Sequence, residues 1–179
     1  LLNIIGGLDH PTEGEVFIEG TKINTLSDSD LIDFRKKNIG FVFQAYNLIP
    51  VLTASENAGF VMLLQNRKQK EIDERVNELL KEVGIGDLGK KRPSELSGGQ
   101  QQRVAVARAL APKPQFILAD EPTANLDSHS TANLLDMMAE LNKTEEMTFI
   151  FSTHDQRVID RARRVITLVD GKVDSDEYR

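Results

Sequence analysis

Two acidic residues in tandem, Asp120 and Glu121, follow the unbroken apolar run Phe116-Ile117-Leu118-Ala119. Such a run reads as a buried strand, so the pair sits at a strand's C-terminal end, where open α/β sheets bind their ligands. Adjacent carboxylates there suit phosphate chemistry: Asp120 can hold Mg²⁺, directly or through water, while Glu121 orients and polarises the water that attacks a terminal phosphate. Taken alone, the two residues are as compatible with a strand ending in a solvated acidic turn. A second feature lies upstream, where Leu96-Ser97-Gly98-Gly99-Gln100 opens the basic, alanine-rich helix Gln101-Gln102-Arg103-Val104-Ala105-Val106-Ala107-Arg108-Ala109-Leu110. Two glycines after a serine let bare backbone N–H groups approach an anion at a positive helix start. An isolated Ser-Gly-Gly is more often a flexible loop, so its meaning rests on its neighbours.

These groups need elements to position them. Leu1 to Leu8 reads as the tail of an apolar helix stopping at Gly6-Gly7, and Glu15 to Glu19 as a short alternating strand between Gly14 and Gly20. Leu26 to Lys36 is polar-helical, acidic at its start and basic at its end, as the helix dipole favours. Ile39-Gly40-Phe41-Val42-Phe43 reads as a second strand, ending at Gln44, so strands are expected to predominate in the opening third. From Thr53 the period changes. Thr53-Ala54-Ser55-Glu56 is a capping-box pattern before an apolar helix to about Leu64, and Glu71 to Val83 carries apolar residues at helical spacing. Beyond the Ser-Gly-Gly helix come strand Phe116 to Ala119, helix Ser128 to Leu141, strand Thr148 to Ser152, a helix near Gln156 to Ala162, strand Val165 to Val169 and an Asp170-Gly171 hairpin turn. This alternation predicts an α/β fold with a mainly parallel, doubly covered sheet, a small antiparallel part and a helical lobe.

Composition excludes several classes. With 22 Lys+Arg against 28 Asp+Glu, the net charge of −6 lacks the basic excess that drives binding to nucleic acid, and none is expected as a partner. The absence of Cys excludes disulfides, a thiolate nucleophile and thiolate metal sites. No apolar run approaches the roughly 18 residues that span a bilayer, so a membrane role calls for a partner. The opening Leu1-Leu2-Asn3 has neither Met nor the charged start of a signal peptide, and is taken as a fragment entered mid-element.

Leu96 to Gln100 resembles the signature motif of ATP-binding-cassette (ABC) ATPases, and Phe116 to Pro122 is similar to their Walker B segment. Other landmarks of that family come in the same order: Gln44 resembles its Q-loop glutamine, Asn125-Leu126-Asp127 its D-loop, and His154 its switch histidine. The resemblance covers the whole chain. It implies a P-loop NTPase-like core over 1–44 and 97–179, a helical subdomain over 45–96, ATP hydrolysis, and ATP and Mg²⁺ as cofactors. It also implies head-to-tail pairing with a second ATPase subunit, so that Ser97, Gly98, Gly99 and Gln100 of one subunit face the γ-phosphate held by the other. Asp120 and Gln44 would contact Mg²⁺, Gln44 would also sense the attacking water and the γ-phosphate, and Glu121 and His154 would be catalytic. Asp127 would join the nucleotide site, although an Asp before Ser128 is also a good helix N-cap.

The pattern departs from the family at one place. The phosphate-cradling G-x-x-x-x-G-K-[ST] loop is absent; in the family it would lie just before Leu1. Gly84-Ile85-Gly86-Asp87-Leu88-Gly89-Lys90-Lys91 imitates it, but ends in Lys where a hydroxyl residue is required and comes after a helix, so it is read as a turn. The interval from Gln44 to Leu96 is too short for the long coiled coil of chromosome-maintenance and DNA-repair relatives. Ala45 to Thr53, Arg92 to Glu95 and Phe149 to Asp155 are similar to the lipoprotein-release and macrolide-export branch. That branch implies transmembrane permease subunits as partners and a peripheral place on the cytoplasmic face of the membrane. Tyr46 is then the better candidate for the permease contact, with Leu48 and Ile49 as readily core residues. Two other readings stay open: a docking module without turnover, and a soluble ABC factor of translation or DNA repair.

Overall fold

The computed structural model describes all of residues 1–179. The opening segment is less strand-rich than expected: a short helix α1 (Leu2–Ile5) precedes the two-residue strands β1 (Phe17–Ile18) and β2 (Thr21–Lys22), and the eleven-residue helix α2 (Asp28–Asn38) is its longest element. The cause is local. Glu19 and Gly20 both take positive φ and turn the chain sharply, leaving a small antiparallel ribbon. Ser27 then caps α2 by accepting a hydrogen bond from the Asp30 N–H.

Strand β3 (Ile39–Val42) begins the central sheet. It pairs in parallel with β4 (Phe116–Asp120), which pairs in parallel with β5 (Thr148–Ser152). Between β3 and β4 run α3 (Ala54–Leu64), α4 (Gln69–Glu82) and α5 (Gly98–Leu110). The capping box expected at Thr53 forms with Glu56, and Ser97 and Gln100 form another at the start of α5. Gly40 lets α5 lie directly on β3, for a Cβ there would come within 2.7 Å of the Ala109 carbonyl oxygen. After β4 come α6 (Ser128–Thr144), β5, the single-turn α7 (Gln156–Ile159), β6 (Arg164–Val169) and β7 (Lys172–Tyr178).

The parallel part is narrower than the alternation of elements predicts. β6 pairs only with β7, as an antiparallel hairpin, so three strands make up the parallel sheet. Nor is every strand covered on both faces: β5 alternates exposed and half-buried positions, whereas Ile117, Leu118 and Ala119 of the central β4 are at most 1% exposed. Ile117 and Leu118 point to opposite faces of the sheet and join different clusters. Ile117 belongs to the main core of 23 residues, with Ala58, Val76, Leu79, Val104 and Leu134. Leu118 belongs to a smaller one, with Ile18, Ile23, Leu31 and Ile39.

One ion pair stitches α4 to the end of α6. Arg75 donates to both carboxylate oxygens of Glu145, at 3.0 and 2.6 Å, and also to Glu78 at 3.0 Å. The Arg75 side chain is 8% exposed and that of Glu145 14%. The Arg75 hydrogen bonds hold the Glu145 carboxyl below its ordinary value, overcoming the opposing effect of burial. A carboxylate lowered on folding stabilises the fold above its unfolded value, and that contribution disappears as pH falls through the lowered one. Glu145→Gln is expected to cost roughly 3 kcal/mol at neutral pH, where it leaves a buried guanidinium short of its partner. Urea midpoints of the variant and parent should converge in acid. A gap between them that does not change with pH would count against the pair.

Candidate active site

Register builds the site. Val42 pairs with Ala119, and Ala119 with Phe151, so the three parallel strands end at one level. Gln44, Asp120, Glu121 and His154 lie within three residues of those positions and share one rim of the sheet. Asp120 is exposed there. Glu121 turns sharply, with φ 44°, and its N–H donates to the Ser152 carbonyl at 2.9 Å, directing its side chain toward the loop beyond β5. Thr153 Oγ1 donates to Glu121 Oε2 at 3.0 Å, and the His154 N–H donates to Oε1 at 3.2 Å. His154 Nδ1 lies 2.7 Å from the same Oε1. The Glu121 side chain is 21% exposed and that of His154 89%, so a held carboxylate carries an imidazole that faces outward.

The loop is braced one residue further on. Asp155 caps α7, accepts from the Thr123 hydroxyl at 2.9 Å and binds the Arg157 guanidinium. The Arg157 hydrogen bonds, with those from the Arg157 N–H and Thr123, hold its carboxyl well below the usual carboxylate range against the effect of burial.

Gln44 is exposed, and its carbonyl accepts from Asn125 Nδ2 at 2.9 Å, tying this loop to the segment after Glu121. Tyr46 and Asn47 both have positive φ, and Arg108 of α5 donates to both of their carbonyls. The buried Asn57 amide then staples Ile49, Leu52 and Thr53 to α3. Leu48 packs on the main core. Tyr46 is half-buried, with its hydroxyl 2.9 Å from where a Gly98 Cβ would stand, and burial pushes its phenol up. The exposed large apolar residue of this stretch is Val51, at 72%.

The Ser-Gly-Gly turn occupies the adjoining shoulder. Gly98 borders the Asn125 carbonyl as well as Tyr46, and Gly99 borders Ser130 of α6. A cleft of about 120 Å³ lies between them, lined by Ser97, Gly99, Gln100 and Ser130 among others. Asp127 caps α6, accepting from the Ser130 N–H at 2.9 Å and hydroxyl at 2.7 Å; these bonds lower its carboxyl. A larger cavity, about 360 Å³, shares Gln100 and Arg103 with this cleft and is otherwise lined by Gly84 to Leu88. Arg103 already donates there to the Val83 carbonyl, and the Gly84 to Lys91 stretch is a turn between helices, as its sequence predicts.

Sequence reasoning did not assign Thr153, Thr123, Asp155 or Arg108, all of which hold rim residues in place. The hydroxyl and acid flanking His154 in Thr153-His154-Asp155 were the available signal for Thr153 and Asp155. No cluster of three His, Cys, Asp or Glu residues is present. The donors at the rim nevertheless fit Mg²⁺, which takes one or two protein oxygens beside substrate phosphates and water. Asp120 and Gln44 are exposed there, while both Glu121 oxygens are engaged.

A family profile described as "ABC transporter" matches residues 1–124. The lipoprotein-releasing system ATP-binding protein LolD of Anaeromyxobacter dehalogenans is 44% identical over 98% of this chain and 74% of its own length. The macrolide export ATP-binding/permease protein MacB of Mannheimia succiniciproducens is 46% identical over the whole of this chain and 28% of its own. Among solved structures, the post-hydrolysis dimer of the ATP-binding cassette MJ0796 of Methanocaldococcus jannaschii, bound to ADP and Pi, superposes with a TM-score of 0.89. It is 45% identical, covering 99% of this chain and 78% of that one. The chain belongs to the ABC transporter ATP-binding family, whose members are ATPases, in the branch that holds the lipoprotein-releasing and macrolide-export proteins.

Proposed function

We propose that this ATPase works as a head-to-tail pair and drives a transmembrane permease of the lipoprotein-release or macrolide-export kind from the cytoplasmic face of the membrane. The observation that supports it most is Glu121, held by Thr153 and His154 at the rim where Gln44 and Asp120 also emerge. Glu121 polarises the attacking water, His154 donates to the phosphate oxygens, and Gln44 places the water against the γ-phosphate. Asp120 and Gln44 would hold Mg²⁺, which would supply positive charge against the phosphates. Ser97, Gly98, Gly99 and Gln100 approach the γ-phosphate bound by the partner subunit, and Asp127 lines the same junction. Residues 45–96, which hold α3 and α4 and no strand, form the helical subdomain, and 1–44 with 97–179 form the core. No helix of the chain is long and apolar enough to cross a membrane.

A shared site makes turnover depend on pairing. In the full-length protein, specific ATPase activity should rise with protein concentration and level off once pairs predominate. Constant specific activity across a range where sedimentation shows single subunits giving way to pairs would refute the shared site. The 179-residue chain by itself contains no G-x-x-x-x-G-K-[ST] sequence, so millimolar MgATP should leave its thermal unfolding unchanged. An upward shift would show that the rim residues bind nucleotide unaided.

A further inference from the structure

Two loops at the rim exchange hydroxyl hydrogen bonds. Thr153, after β5, donates to Glu121 after β4; Thr123, after β4, donates to Asp155 after β5. The exchange closes into a circuit, because Thr153 Oγ1 also accepts from the Asp155 N–H at 3.0 Å. With that N–H occupying its acceptor side, the single Thr153 proton is directed to Glu121 Oε2. Thr123 is 2% exposed, so the far side of the circuit is anchored in protein interior.

Glu121 needs such an anchor. Its backbone sits at φ 44°, a region that glutamate seldom occupies. Its terminal torsion is intrinsically broad, and His154 holds only Oε1, so the placing of the second oxygen depends on Thr153. We infer that Thr153 is a positioning residue for ATP hydrolysis: its hydroxyl fixes the carboxylate plane of Glu121 toward the attacking water, and the Thr123–Asp155 bond holds Thr153 in place. The inference rests on the reading of Glu121 as the water-polarising group. Thr153 acts through Glu121, so its effect belongs to the chemical step, where misplacing a reacting group by about 1 Å can cost on the order of 10²-fold.

The test uses Thr153→Val and Thr153→Ser in the full-length protein. Valine keeps the shape and β-branching but has no proton to give, whereas serine keeps the hydroxyl. For Thr153→Val, kcat should fall about 10-fold or more, with KM for MgATP within about twofold of the parent, since the lost contact is made to a catalytic group and not to nucleotide. Thr153→Ser should restore most of kcat. Thr123→Val should lower kcat in the same direction by a smaller factor, and remains informative if the first variant is poorly folded. In a Glu121→Gln background, Thr153→Val should add little further loss. Parent-like kcat in Thr153→Val, or equal losses in the valine and serine variants, overturns the inference. Brisk turnover by Glu121→Gln alone would instead overturn the underlying reading of Glu121, so the two failures are distinguishable.

Discussion

Glu121→Gln in the full-length protein is expected to lower ATP turnover by ~10²–10⁴-fold, the range associated with losing a positioned general base, while nucleotide-driven pairing persists. Glutamine matches glutamate in shape but not in acceptor count. Both Glu121 oxygens face donors, Oε2 the Thr153 hydroxyl and Oε1 the His154 N–H, so the new amide group must oppose one of them. A stability loss of about 1 kcal/mol should accompany the catalytic one. Single-turnover hydrolysis with size analysis of the nucleotide-bound protein checks both parts: residual turnover near that of the parent would remove Glu121 from its role, and failure to pair would mean that the substitution disturbed more than the chemistry.

Gly99→Ala should separate stability from activity. A Cβ on Gly99 would meet Ser130 Oγ at 3.5 Å, an ordinary contact, and its backbone does not have positive φ, so nothing inside this chain demands glycine there. The position lies in the first turn of α5, where alanine is the better helix former by up to about 1 kcal/mol. Thermal stability should therefore hold or rise. Turnover and nucleotide-dependent pairing should fall by ~10-fold or more, because in the proposed head-to-tail pair the added methyl would stand where the other subunit's nucleotide approaches. Calorimetry and sedimentation on the same variant check both signs. Lower stability with intact pairing would place the glycine's purpose inside the fold.

The features legible in the sequence are those that short-range pattern encodes. The apolar run into Asp120 and Glu121, the capping boxes at Thr53 and Ser97, and the strand before Gln44 each depend on neighbours a few residues apart, and each is present. Register then carries Gln44, Glu121 and His154 to one rim without further instruction. The misjudged features depend on distant partners. The β6–β7 hairpin is the exception, since the Asp170-Gly171 turn marks it locally; what strand propensity does not rank is how many strands join the parallel sheet beside β4. The Thr153–Glu121 and Thr123–Asp155 bonds each span 32 positions, and Arg75–Glu145 spans 70. Nor does a sequence of residue types announce that Glu121 occupies positive φ. Isolated Glu, Thr and Arg residues carry no mark of such pairings, which exist only once the strands have set the loops side by side.

The reciprocal cap at the start of α5 has an electrical consequence. Ser97 Oγ accepts the Gln100 N–H, and Gln100 Oε1 accepts the Ser97 N–H, so each side chain satisfies its acceptor inside the helix end. Each oxygen has one lone pair engaged in this way, while the serine proton and the two amide protons remain free to donate. The cap thereby engages acceptors within the helix end and leaves donors beside its positive terminus. A surface organised that way welcomes phosphate oxygens and turns away metal cations, so the same few atoms that start the helix also choose the sign of what can land on it.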